Sequence, residues 1–123
     1  MTLTEVKKIL SAEVISGGED LEKEIKYAFA ADLLSDVLAL GRGSGVLTLL
    51  ITGIVHPQVI YASNIFDLGA IIFVRGKRPT EETLQLAIEN QIPLLATSYI
   101  MYETCGLLYQ HGLRPSIAKV KNG

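Results

Sequence analysis

The sequence predicts a three-layer α/β/α domain on a central sheet of about five strands, mostly parallel and open to a mixed arrangement. Three observations predict it. From Val46 onward, strand and helix patterns alternate three times with short connections, the order that builds right-handed crossovers and a parallel sheet. Ala70–Val74 (Ala-Ile-Ile-Phe-Val) is a continuous apolar run, as expected of a central strand covered on both faces. The breaks between these patterns carry capping and turn residues rather than long polar insertions.

Thr2 and Glu5 stand at capping-box spacing and open a helix whose Val6, Ile9 and Leu10 form its apolar stripe. Glu13–Ser16 reads as a short strand stopped by Gly17–Gly18. Ile25, Tyr27 and Phe29 alternate with Lys26, Ala28 and Ala30, the period of a half-buried strand. Asp32 is the expected N-cap of a helix over Leu33–Leu40. Gly41–Gly45 is a flexible loop leading into a strand over Val46–Ile51. A helix is expected from His56–Pro57, since proline suits a first turn. Thr80 caps another, with Leu84, Ala87 and Ile88 on one face and Glu81 and Glu82 complementing the dipole. Leu94–Ala96 is a buried strand, and Ser98 begins a last helix that runs to Gln110 and stops at Gly112.

The chain has 123 residues, 49% hydrophobic and 20% charged, which suits one domain and excludes disorder as the main state. Residues 1–114 form the expected domain and 115–123 a loose C-terminal tail. A net charge of −2 with no basic stripe argues against nucleic acid as a partner. The longest apolar segment, Val46–Val55, is too short to span a membrane. The single cysteine, Cys105, fits a reducing compartment, and Met1–Leu10 lacks the pattern of a secretory signal, so a cytoplasmic location is expected.

Neither His56 nor His111 has a second histidine or cysteine at ligand spacing, so neither a metal site nor a cofactor is expected. No serine sits in a nucleophile elbow and no phosphate loop is present, so the chain is not expected to be an enzyme. The Gly41–Gly45 loop enters a strand, the wrong polarity for a phosphate cradle. The opposite polarity occurs at Gly76-Lys77-Arg78-Pro79-Thr80, which leaves a buried strand and starts a helix. That geometry places two cations beside free backbone N–H groups. Thr52, Gly53 and His56, and then Thr97 and Ser98, fall at neighbouring strand ends, where ligands of open α/β sheets bind. These nine residues are the candidate site for a phosphorylated small ligand such as an adenine nucleotide. The last helix is apolar around too much of its circumference for one contact face. Tyr99, Tyr102, Gly106 and Tyr109 are therefore the candidate homodimer surface.

Ile51-Thr52-Gly53-Ile54-Val55-His56-Pro57, then Gly69-Ala70-Ile71-Ile72-Phe73-Val74-Arg75-Gly76, then Ile92-Pro93-Leu94-Leu95-Ala96-Thr97 resemble the DRTGG domain family. Ala31–Val37 and Ser98–Leu108 extend the resemblance to about residues 3–113. Val55-His56 stand where that family has Asp-Arg, and Val74-Arg75-Gly76 where it has Thr-Gly-Gly. The resemblance implies a fold similar to the amino-terminal domain of HPr kinase/phosphorylase and a regulatory, non-catalytic role. It also implies the alternative of an interaction or dimerisation adaptor for a separate metabolic enzyme, for example a hydrogenase system. A serine-kinase activity, a label given to some stand-alone members, does not follow for a chain without a phosphate loop.

Overall fold

The computed structural model describes residues 1–120. Helix α1 (Leu3–Leu10) starts at Thr2, whose side chain accepts from Glu5 N–H while Glu5 reaches back to the Thr2 backbone, the expected capping box. Those contacts hold the Glu5 carboxyl below the usual range. Its folded pKa lies under its unfolded one, so its contribution is complete at neutral pH and is lost as pH falls through the folded value. Strand β1 (Glu13–Ser16) follows, then β2 (Tyr27–Ala30), α2 (Leu34–Leu40), β3 (Thr48–Thr52) and α3 (Gln58–Ile65). After them come β4 (Ala70–Phe73), α4 (Glu81–Glu89), β5 (Leu94–Ala96), α5 (Met101–Gln110) and β6 (Arg114–Pro115).

The strands form one six-stranded sheet in the order β1-β5-β4-β3-β2-β6. Strands β2 to β5 are mutually parallel, β6 is parallel to β2, and β1 is antiparallel to β5. The sheet is thus mixed, with one strand more than the sequence predicts. The extra strand comes from the expected tail: Arg114 and Pro115 pair with Tyr27 and Ala28, and Ser116 N–H donates to Ala28 O at 3.0 Å. An open edge of β2 outweighs the absent N–H of a proline, which is tolerated on an edge strand. The last three tail residues, 121–123, lie outside the described residues.

Side-chain alternation sorts the core into two layers. Leu50, Ile71, Phe73 and Leu94 pack with Val37 of α2, Val59 and Ile60 of α3, and Ala87 of α4. Leu49, Ile51, Ile72 and Leu95 point the other way, onto Leu3, Val6 and Leu10 of α1 and Leu108 of α5. Every residue of β3 and β4 is buried, which stabilises the fold by roughly 1.5–3 kcal/mol per large aliphatic side chain.

Several local expectations are corrected. Leu33, not Asp32, occupies the N-cap of α2 and gives no side-chain bond, because the Asp32 carboxylate is engaged elsewhere. Helix α5 starts at Met101 after Ile100, since Ser98 and Tyr99 belong to the loop that crosses the sheet rim. Ile88 is 53% exposed, and Thr83 takes its place with Ala87 on the buried face of α4.

Gly69 enters β4 directly against the backbone of Val46. A side chain there would be driven into the Val46 carbonyl oxygen and would meet Ile25 Cδ1 at 2.9 Å. Both neighbours are fixed by the sheet and core, so Gly69→Ala is expected to destabilise the protein by about 3 kcal/mol. Urea unfolding monitored by circular dichroism measures it.

Candidate functional site

The four parallel strands end on one rim, and the antiparallel β1 begins there, since Glu13 pairs with Ala96. Three loops meet on this rim: Gly53–Pro57 after β3, Val74–Thr80 after β4, and Thr97–Ile100 after β5. They are joined by backbone bonds. Arg75 N–H donates to Tyr99 O (2.8 Å), Gly76 N–H to Thr97 O (2.9 Å), and Thr80 N–H to Val55 O (3.2 Å). Thr83 Oγ1 donates to the same Val55 carbonyl at 2.7 Å. Asp32, at the end of β2, braces the rim by accepting from Gly53 N–H at 2.7 Å.

The connection after β4 leads to α4 on one face of the sheet, whereas that after β5 leads to α5 on the other. The ends of β4 and β5 are therefore the point where the chain parts to opposite faces, the position at which open α/β sheets form a ligand crevice. A cavity of about 200 Å³ lies beside it, lined by Leu10, Ser11, Thr97, Ser98 and Tyr99.

Val74-Arg75-Gly76-Lys77 is a tight turn closed by Lys77 N–H to Val74 O at 3.0 Å, with Arg75 at φ 58° and Gly76 at φ 68°. Two consecutive positive φ values define a type I′ turn, which ordinarily takes glycine, asparagine or aspartate. An arginine there costs roughly 1–2 kcal/mol of backbone strain. Arg75 is exposed, as is Lys77 two residues on. Lys77 runs across Gly53, its Cδ 3.7 Å from where a Gly53 side chain would begin. Among the described residues neither Arg75 nor Lys77 has an ion-pair partner, whereas Arg78 is paired with Glu13.

Of the nine residues singled out from the sequence, the structure brings all to this rim but gives them different work. Thr52, Thr80 and Thr97 are structural: Thr52 Oγ1 accepts from Ile54 N–H, Thr80 Oγ1 from Thr83 N–H, and Thr97 Oγ1 donates to Leu10 O. The Gly76 amide is spent on Thr97, and Arg78 on Glu13. Lys77, His56 and Ser98 remain exposed, with Gly53 at the floor. The expected free N–H groups of the turn are thus largely consumed by bonds between loops, leaving side-chain cations for any ligand. Glu13 and Asp32 are rim residues that sequence reasoning missed, and Arg75, a cation beside the altered family motif, stands outside the nine. Only Arg75 carried a signal, a long side chain where the turn asks for glycine.

The four candidate interface residues lie along the outward side of α5 and the loop before it. Tyr102 is 83% and Tyr109 58% exposed, and Gly106 faces open space. Beside them an apolar groove of about 170 Å³ runs between α5 and β2, with Ala28, Ala30, Ile51 and Cys105 in its walls. Burial pushes the Cys105 thiol up, so it stays protonated at neutral pH and is a poor nucleophile. Among the described residues no cluster of three His, Cys, Asp or Glu side chains could hold a metal ion. No helix among them is long and apolar enough to cross a membrane.

The DRTGG domain family matches residues 5–111, and the chain belongs to that family. No curated protein matches it. Among solved structures it is similar to the CBS and DRTGG domains of the regulatory region of Clostridium perfringens pyrophosphatase, complexed with the activator diadenosine tetraphosphate. The TM-score is 0.63 at 17% identity, over 99% of this chain and 51% of that one. The chain thus spans about half the length of that structure. The family name itself ends in two glycines where this chain has Arg75-Gly76, in agreement with the φ values of the turn. Arg75→Gly is accordingly expected to stabilise the fold by about 1 kcal/mol, read as a higher urea midpoint with unchanged slope.

Proposed function

We propose that this DRTGG domain is a non-catalytic regulatory domain that binds a phosphorylated small ligand, an adenine nucleotide, where β4 and β5 end. The observation that carries it is the Arg75–Lys77 turn. Two cations without carboxylate partners among the described residues stand at the chain's parting point, one of them held in a backbone conformation that costs free energy. Strain of that kind is retained where function uses the residue. The activator complexed with the similar regulatory region is itself a nucleotide, which supports the ligand class. The half-buried Cys105, its thiol pushed up by burial, is no activated nucleophile, which supports a role without catalysis. A cytoplasmic setting and a regulated enzyme complete the proposal.

Thermal melts with ATP, AMP and diadenosine tetraphosphate test it. At about 100 times the dissociation constant, a ligand adds roughly 2.7 kcal/mol, a rise of several degrees in Tm. Lys77→Ala is expected to weaken binding about tenfold and to flatten its salt dependence, as loss of a phosphate-facing charge does. No shift with any of the three at millimolar concentration overturns the proposal.

A second reading, a homodimeric adaptor for a separate enzyme, is favoured by the exposed Tyr102–Gly106–Tyr109 side of α5. Gly106→Ala distinguishes a free from a covered helix. On a solvent-facing helix it stabilises by about 1 kcal/mol, whereas against a closely packed second copy it weakens association. Light scattering at high micromolar concentration measures the latter, and a monomer there overturns the dimer.

A further inference from the structure

The loop after β4 carries a third cation, Arg78, and its two neighbouring cations Lys77 and Arg78 leave the loop in opposite directions. Lys77 lies over Gly53, beyond the end of β3, whereas Arg78 pairs with Glu13 at the start of β1. Glu13 stands opposite Ala96 at the end of β5, and Ala96 opposite Phe73 at the end of β4. The ion pair therefore ties the loop after β4 to the edge strand β1, with β5 between them in the sheet, on the same rim as Arg75 and Lys77.

Both partners are open to solvent, the Arg78 side chain 59% and the Glu13 side chain 57% exposed. An exposed ion pair contributes little to stability and is screened by salt, so it is broken cheaply. A phosphate group is a competitor of the right kind, because a guanidinium grips phosphate oxygens in the same two-pronged geometry as a carboxylate. Glu13 is held to the edge of the sheet by its strand, while Arg78 sits on a long side chain in a loop, so it is the arginine that moves when the pair opens. Among the described residues Glu13 is the only carboxylate paired with a cation of this loop. Asp32 accepts from Gly53 N–H, and Glu81 and Glu82 complement the dipole in the first turn of α4.

Resting on the nucleotide reading of the rim, we propose that Glu13 sets how much negative charge a ligand must carry to use the whole site. Without ligand, Glu13 directs Arg78 toward β1 and leaves Arg75 and Lys77 as the unpaired cations. A monophosphate is held by those two alone. A triphosphate, with more charge and a longer reach, draws Arg78 off Glu13 and gains a third cation. Glu13 is thus a positioning residue that determines specificity through Arg78 without touching the ligand.

ATP and AMP, titrated by calorimetry into the full chain without divalent cations, test it. Glu13→Gln is expected to fold with an unchanged urea midpoint, since the pair is exposed. It raises affinity for ATP about fivefold, the upper end of what breaking an exposed pair costs, and affinity for AMP by less than about twofold. Arg78→Gln lowers affinity for ATP and leaves that for AMP unchanged. Adding Glu13→Gln to it brings no further gain, because the carboxylate then has no cation to release. A gain for ATP that persists without Arg78 reduces Glu13 to simple repulsion and overturns the inference. So does an equal gain for both nucleotides, or wild-type affinity for ATP in Glu13→Gln, while binding itself leaves the rim reading standing. Binding of neither nucleotide, by the wild type or by Glu13→Gln, overturns both.

Discussion

Burial of β3 and β4 on both faces is the constraint from which the rest of the structure follows. A strand of Thr-Leu-Leu-Ile-Thr or Ala-Ile-Ile-Phe can be covered twice only if helices lie above and below it, and crossover helices do this at the cost of parallel strands. Parallel strands in turn send their ends to one rim. The buried polar residues among those described are threonines and one serine, so the charged groups stand at the ends of the sheet and on the outer sides of the helices. The candidate rim at the strand ends is one place this architecture leaves for recognition.

The rim is made rigid by bonds that are easily mistaken for binding capacity. Short βα loops in a parallel sheet expose amides and hydroxyls that look available in one dimension. Here the loops after β3, β4 and β5 use them on one another, through Val55, Thr97 and Tyr99 carbonyls. The free energy returned by those bonds offsets the strain at Arg75. Because the turn is closed by Lys77 N–H to Val74 O, the backbone that carries Arg75 and Lys77 is held by the loops around it.

Much of this was legible from residue order, and the failures share a cause. Strands β1, β4 and β5, the Thr2–Glu5 capping box and the Thr80 cap follow from local pattern, because each is decided by neighbours within a few positions. DRTGG membership was legible from hydrophobic spacing for the same reason. Asp32 was not: a carboxylate before a helix is equally suited to capping it or to bracing Gly53, and only the strand pairing places Gly53 N–H within 2.7 Å. Glu13 reaches the rim because β1 runs antiparallel, a direction that a four-residue strand does not encode. Pro115 hides β6, since proline argues against a strand unless an edge is known to be vacant.

The two halves of the α5-side layer are unequal, and this asymmetry bears on how such a domain communicates. Three helices cover one face of the sheet, but only α1 and α5 cover the other, leaving Ala28 and Ala30 of β2 in an open groove. The loop that precedes α5 is the one whose Thr97 and Tyr99 carbonyls hold the Arg75 turn. A ligand that pulls on Arg75 therefore acts on the backbone entering α5, the helix with Tyr102 and Tyr109 outward. Coupling between the rim and the α5 surface needs no long pathway, since two hydrogen bonds join them.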